Sequence, residues 1–189
     1  MLNSVLSKFS LSVRLSIKGA VAFFCVVLSV ALPQIAHAAG GVQAGAIYMP
    51  IYAPALLAGC LLGWQWGLGV GLIAPVVSFG FTSVALGSAM PNLTRLPYTM
   101  LEDGAYGLIC GLFSKKIEKN VYLAFPVVLL AQVSGRAIYV IYNLIAGKTF
   151  AYLWSSVQTG LTGLYIQLIA VPLIVIALFF ALRRESDEK

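Results

Sequence analysis

Long apolar stretches separated by short polar segments dominate this chain of 189 residues. Hydrophobic residues make up 60% of the sequence and charged residues only 10%. A water-soluble domain of this size needs a far more charged surface, so the composition excludes a soluble globular fold. The apolar stretches are also too long and too uniform for the alternating strands of a membrane barrel. The sequence therefore predicts an all-α integral membrane protein.

The lengths of these stretches predict six transmembrane helices, at about 20 residues for each crossing. They cover residues 14–36, 50–63, 66–88, 97–114, 121–146 and 153–182. A cytoplasmic N-terminal segment of residues 1–13 and a cytoplasmic tail of residues 183–189 flank this membrane domain of residues 14–182. The glycine-rich segment 37–49 is predicted to be a flexible outer loop that closes over a pocket as a lid.

The placement of the basic residues predicts the orientation of the chain. Nine of the twelve lie before the first span or in its first two turns, between the fourth and fifth spans, or after the sixth. Only Arg95 and Lys148 lie on the opposite side, so the positive-inside rule places both termini in the cytoplasm. An even number of spans also requires the two termini to lie on the same side of the membrane. Because the charges follow topology, we do not interpret the net charge of +6 as a nucleic-acid surface.

The N-terminal region has the appearance of a signal peptide, with Lys18 before an apolar core and Ala36-His37-Ala38 as an apparent cleavage site. We interpret it as an uncleaved first helix, because the charged region is long and Pro33 and Gln34 interrupt the core. The chain has no phosphate-binding loop and no zinc-protease or serine-hydrolase motif. Its three cysteines lack metal-binding spacing. We predict no metal and no cofactor.

Apart from Arg14 and Lys18 in the first turns of the first span, three charged residues lie inside the apolar spans: Glu102 and Asp103 in the fourth, and Arg136 in the fifth. Charges in hydrocarbon rarely persist without a partner or a cavity. Polar residues also repeat along one helical face of the fifth span and of the sixth. These two stripes are Gln132, Arg136, Tyr139 and Asn143, and Ser155, Gln158, Thr162 and Tyr165.

Together these groups predict an outward-facing pocket for a small polar molecule, with Glu102 and Arg136 close enough to pair. The candidate substrate-binding residues are Tyr48, Tyr52, Glu102, Arg136, Tyr139, Asn143, Gln158 and Thr162. The alternative is a buried ion pair with interhelical hydrogen bonds that only hold the bundle together.

Small residues predict where helices approach one another closely in lipid. Glycine recurs every four residues from Gly59 to Gly71 and marks one side of the fourth span from Gly104 to Gly111, which indicates internal packing. A further stripe of Ser12, Ser16 and Ala20 opens the first span. It either packs inside the bundle or faces a partner membrane protein.

An ordered set of short motifs resembles the S components of energy-coupling factor (ECF) vitamin transporters. The resemblance covers about residues 20–147. Its motifs are Leu32-Pro33, His37, Gly40-Gly41, Ala44-Gly45, Met49-Pro50-Ile51-Tyr52-Ala53-Pro54 through Gly59, Pro75, Met90-Pro91, Leu101-Glu102, Tyr106-Gly107 and Gly135-Arg136. The chain departs from the family at Tyr52, where histidine is frequent, and at Asp103, where an apolar residue is usual.

This resemblance implies a six-helix substrate-binding subunit in the bacterial plasma membrane that captures a vitamin or related micronutrient from outside. It implies three protein partners, a transmembrane coupling subunit and two ATPase subunits, with Ser12, Ser16 and Ala20 as candidate contacts for the coupling subunit. The substrate varies widely within the family, so its identity and charge stay open.

Two other classes of function compete with transport. One is a membrane-embedded enzyme that uses Glu102 or Asp103 as an acid or base, which requires a second reactive group nearby. The other is a structural or assembly subunit in which the polar stripes only join helices.

Overall fold

The computed structural model describes residues 10–187. The predicted terminal charges Lys8 and Lys189, with most of the segment 1–13, lie outside these residues. Within them all regular structure is helical. The elements are α1 (Leu11–Tyr48), a 3₁₀ turn (Pro50–Tyr52), α2 (Ala53–Leu62), α3 (Trp64–Ala85), α4 (Leu96–Leu112), α5 (Ser114–Lys119), a second 3₁₀ turn (Val121–Leu123), α6 (Ala124–Ile145) and α7 (Phe150–Asp187).

Four helical segments are long and apolar enough to cross a membrane. They are Leu11–Gly41, Trp64–Ala85, Val121–Ile145 and Phe150–Leu182. The second and fourth predicted spans are also helical but shorter. Pro50–Leu62 is a short apolar helix, and α4 has 17 residues and is therefore about 25 Å long. These two short helices are the most enclosed, and the longer ones surround them.

The core is centred on α2, which packs against α1, α3, α4 and α7. Leu56 and Cys60 of α2 have no exposed surface, and they join Cys25 of α1, Val128 of α6 and Val175 of α7 in one apolar cluster. Large apolar side chains also cover the outside of the bundle, for example Phe23 at 71% exposure and Ile145 at 84%. An apolar exterior of this extent is what lipid-facing helices require.

The α3–α4 interface confirms the glycine prediction. A Cβ atom at Gly107 would collide with the backbone of Gly67, and one at Gly71 would collide with the backbone of Asp103. The turn between α2 and α3 also needs glycine, because Gly63 has a φ of 99°. Helices at this distance touch through their backbones, so this side of α4 has no room for a cavity.

The glycine-rich segment 37–49 is not the predicted loop. Helix α1 continues through it to Tyr48, and the backbone leaves helical geometry only at Gly40 and Gly41. Glycine predicted a loop, but the alanines on both sides are strong helix formers and sustain the helix. The break at the two glycines divides α1 into a long first arm and a short second arm, residues 42–48, at the cavity described next.

Candidate functional site

A cavity of about 590 Å³ lies at the end of the bundle where α4 begins. The second arm of α1, the loop between α3 and α4, the first turn of α4, the middle of α6 and the start of α7 enclose it. Its wall is rich in aromatic rings, from Tyr52, Tyr98, Tyr139 and Tyr152. Cavities of this volume hold small organic ligands.

Glu102 is fully buried next to the cavity and has three partners. The hydroxyl of Tyr52 donates a hydrogen bond to Oε2 at 2.8 Å, and the hydroxyl of Tyr106 donates one to Oε1 at 2.8 Å. Nε of Arg136 lies 3.2 Å from Oε1 as an ion pair. The predicted proximity of Glu102 and Arg136 is therefore confirmed. Because Glu102 does not line the cavity, its part in the site is to hold Tyr52 and Arg136.

Arg136 connects this buried cluster to the cavity, whose wall it forms in part. Its guanidinium carbon lies 5.8 Å from the ring centre of Tyr52 and 5.5 Å from that of Tyr139. Such distances allow cation–π attraction. Nη2 also contacts the sulfur of Met49. The side chain is thus fixed by a carboxylate, two rings and a thioether before any ligand arrives.

The polar stripe on α6 faces inward as predicted. Gln132, Arg136, Tyr139 and Asn143 are all buried. Gln132 donates to the carbonyl of Leu164 at 3.0 Å, and the Tyr139 hydroxyl donates to Oγ of Ser156 at 2.7 Å. Asn143 differs from its prediction, because its amide donates to the carbonyl of Tyr139 on its own helix and the residue does not line the cavity.

The predicted polar face of α7 is wrong. Gln158 and Thr162 are exposed on the outer side of the helix, and Tyr165 is 64% exposed. Only Ser155 of that stripe lines the cavity. The inward face instead carries Ser156, Gly160, Gly163 and Gln167, which repeat at i, i+4, i+7 and i+11, the spacing of the α6 stripe.

This inward face of α7 holds the end of α1. A Cβ atom at Gly160 would collide with the Met49 side chain, and one at Gly163 with the Tyr48 carbonyl. Gln167 donates to the carbonyl of Met49 at 2.8 Å and to that of Tyr48 at 3.3 Å. These bonds cap carbonyls at the end of the helix, and the Met49 carbonyl also accepts from the amide of Tyr52 at 3.3 Å. Tyr48, predicted to bind substrate, therefore contributes its backbone, while its side chain is 45% exposed and does not line the cavity.

Two hydroxyls of α3 organise the opposite wall, a role that the sequence did not reveal. Ser78 donates to the carbonyl of Met90 at 2.8 Å, and the amide of Met90 donates to Oγ1 of Thr82 at 2.8 Å. They attach the α3–α4 loop, which brings Met90, Pro91 and Asn92 to the cavity. Their i, i+4 spacing places them on one face of α3, but nothing in the sequence indicated a loop as the partner.

Asp103 lies beside Glu102 in the chain but on another side of α4. It has no exposed surface, and neither of its carboxyl oxygens has a hydrogen-bond partner among the described residues. Its backbone lies against Gly71 of α3. Because it does not reach the cavity, it contributes no contact to a ligand there.

Comparison of the chain with family models, with curated proteins and with solved structures found no match.

Proposed function

We propose that this chain is the S component of an ECF-type importer, which binds a vitamin or related micronutrient outside the cell and passes it to an ATP-driven coupling module. In this proposal it crosses the bacterial plasma membrane six times, with both termini in the cytoplasm. The short helices α2 and α4 cross the membrane surrounded by the longer helices.

One observation supports the proposal above all, namely an aromatic cavity with a pre-positioned arginine in its wall. The cavity surrounds the start of α4, whereas the basic helix α5, with Lys115, Lys116 and Lys119, follows the end of α4. The positive-inside rule assigns α5 to the cytoplasm and hence the cavity to the outer side. An importer's binding subunit needs its site on that side.

The candidate surface for the coupling subunit is consistent with this function. Ser12, Ser16 and Ala20 are exposed along the first arm of α1, so a partner helix is able to approach them. Small side chains favour such contact in lipid.

The test has two readouts on the purified chain and on reconstituted vesicles. Mass spectrometry should identify a small organic molecule released when the purified protein is heated. Vesicles that also contain a coupling subunit and two ATPase subunits should take up that molecule only with ATP. The Arg136→Gln variant should lose both signals, while Lys115→Gln, altered at an exposed site on α5, should retain them.

The enzyme alternative depends on Glu102 or Asp103 reaching a substrate, and neither side chain has exposed surface. Chemical conversion of the released molecule by the purified chain would support that alternative. Normal uptake by Arg136→Gln would contradict the proposed site.

A further inference from the structure

The charges of the cavity wall have one sign. Among the described residues that line the cavity, the charged side chains are Arg95 and Arg136, and none is an aspartate or glutamate. Glu102 is the acidic group nearest to Arg136, but it has no exposed surface and Tyr52 and Arg136 separate it from the cavity. A ligand therefore meets cationic donors on this wall.

The hydrogen bonds and the ion pair of Glu102 keep its negative charge from contributing to the cavity wall. Both of its oxygens already accept hydrogen bonds from tyrosine hydroxyls, and Arg136 adds the ion pair. A cationic ligand would have to displace one of these partners inside the protein, which leaves a buried polar group unpaired and costs about 1–3 kcal/mol. The carboxylate is thus committed to the protein and unavailable for recognition.

Arg136 is suited to bind an anion. A guanidinium carries five N–H donors in a planar fork that matches the two oxygens of a carboxylate. Nε faces Glu102, while the side chain also forms part of the cavity wall. Since the two rings and Met49 already restrict the side chain, binding costs little further ordering.

The rest of the wall suits a flat and partly apolar body. Tyr98 packs edge-on against Tyr139 with ring centres 5.2 Å apart, so these rings present rigid surfaces. Pro50 and Pro91 add further rigid apolar contacts. Arg95 is exposed at the rim, where a cation attracts anions from solution.

We propose that the substrate is a small organic acid, with its carboxylate against Arg136 and a planar, partly apolar body between the tyrosines. This inference deepens the proposed function and rests on it.

The experiment uses three matched probe pairs in which a carboxylate is replaced by the neutral amide of the same body. They are nicotinate and nicotinamide, 4-aminobenzoate and 4-aminobenzamide, and indole-3-acetate and indole-3-acetamide. The thermal unfolding midpoint of the purified full chain is measured in detergent with each probe at millimolar concentration. At least one acid should raise the midpoint by about 2–5 °C more than its amide.

Variants assign this difference to the cavity. Arg136→Gln should abolish it, and Arg136→Lys, which keeps the charge but loses the fork, should reduce it. Arg95→Gln, altered at an exposed position, should also reduce it and gives a readout if the Arg136 variants fold poorly. Lys115→Gln should leave it unchanged. Equal shifts for acids and amides, no shift with any acid, or an acid shift that persists in both Arg136→Gln and Arg95→Gln would overturn the inference.

The identity of the released molecule separates the two proposals. A neutral or cationic micronutrient bound at the cavity would overturn the organic acid and leave the binding subunit standing. Acid-selective binding without ATP-dependent uptake in complete vesicles would overturn the transport function and leave the anion site standing.

Discussion

The two sides of α4 pack in opposite ways. Towards α3 the helix presents Gly107 and Gly111, and the two backbones touch. Towards α6 it presents Tyr98, Glu102 and Tyr106, large side chains that hold the neighbouring helices apart through rings and hydrogen bonds. Where the backbones of α3 and α4 touch, the interface is rigid and leaves no cavity. The layer of large polar side chains on the other side of α4 borders the cavity. One helix therefore supplies both the scaffold and the site.

Removing the charge of Glu102 tests the polar side and should have the largest effect. Glu102→Gln leaves Arg136 without its counter-charge in a buried site, and we expect a loss of about 3 kcal/mol in the free energy of unfolding. Denaturant titration of the purified protein measures it. In a double-mutant cycle, Arg136→Gln in the Glu102→Gln background should cost less than Arg136→Gln alone. Additive losses would mean that the two residues do not interact.

Adding one methyl group tests the glycine side. Gly107→Ala places a Cβ atom against the backbone of Gly67, and we expect a loss of about 1–3 kcal/mol in the free energy of unfolding. The matched control is Gly69→Ala on α3, where a Cβ atom meets open space. Equal stability of the two variants would show that α3 and α4 are not in backbone contact.

The adjacent carboxyls of Glu102 and Asp103 differ in their partners, so removing the Asp103 charge should raise stability where removing the Glu102 charge lowers it. Asp103→Leu replaces a buried group whose oxygens have no partner by an apolar group of similar shape. We expect the free energy of unfolding to rise by about 1 kcal/mol, with ligand binding unchanged. A fall in stability would reveal a partner for Asp103, and a loss of binding would connect it to the cavity.

The smallest effects should come from α7. Gln158→Leu and Thr162→Leu alter exposed positions outside the cavity, so we expect changes in the free energy of unfolding within about 0.5 kcal/mol and unaltered probe shifts. Ser156→Ala, which removes a hydrogen bond from Tyr139 at the cavity wall, is the matched variant and should weaken the acid-specific shift. If Gln158→Leu and Thr162→Leu weakened the acid-specific shift and Ser156→Ala did not, the α7 face predicted from the sequence would be the one that faces the cavity.

The comparison also explains which features the sequence was able to predict. Glu102 and Arg136 were found because a charge in an apolar helix needs a partner. The glycine seam was found because glycines recur at spacings of three or four residues on neighbouring helices. Both signals are local and chemical, and they do not require knowledge of the neighbouring helices.

The buried face of α7 and the extent of α1 cannot be predicted without knowing which helices lie next to them. A helix that is apolar on nearly every side gives no hydrophobic period to indicate its buried face, and α7 carries two polar stripes. The stripe that includes Gly160 and Gly163 is the buried one, because the end of α1 approaches there. In the segment 37–49, alanine favours a helix and glycine favours a loop. The segment is helical, and its end packs against α7.

The attachment of Met90 by Ser78 and Thr82 bears on how a ligand enters and leaves the cavity. Two hydroxyl groups of α3 bind the backbone of Met90, so this side of the cavity opening is fixed to a long helix. The opposite side is the short second arm of α1, which follows two glycines and whose end is held by Gln167 and by the contact of Met49 with Arg136. We therefore expect exchange of a ligand to depend on movement of this arm rather than of the α3–α4 loop.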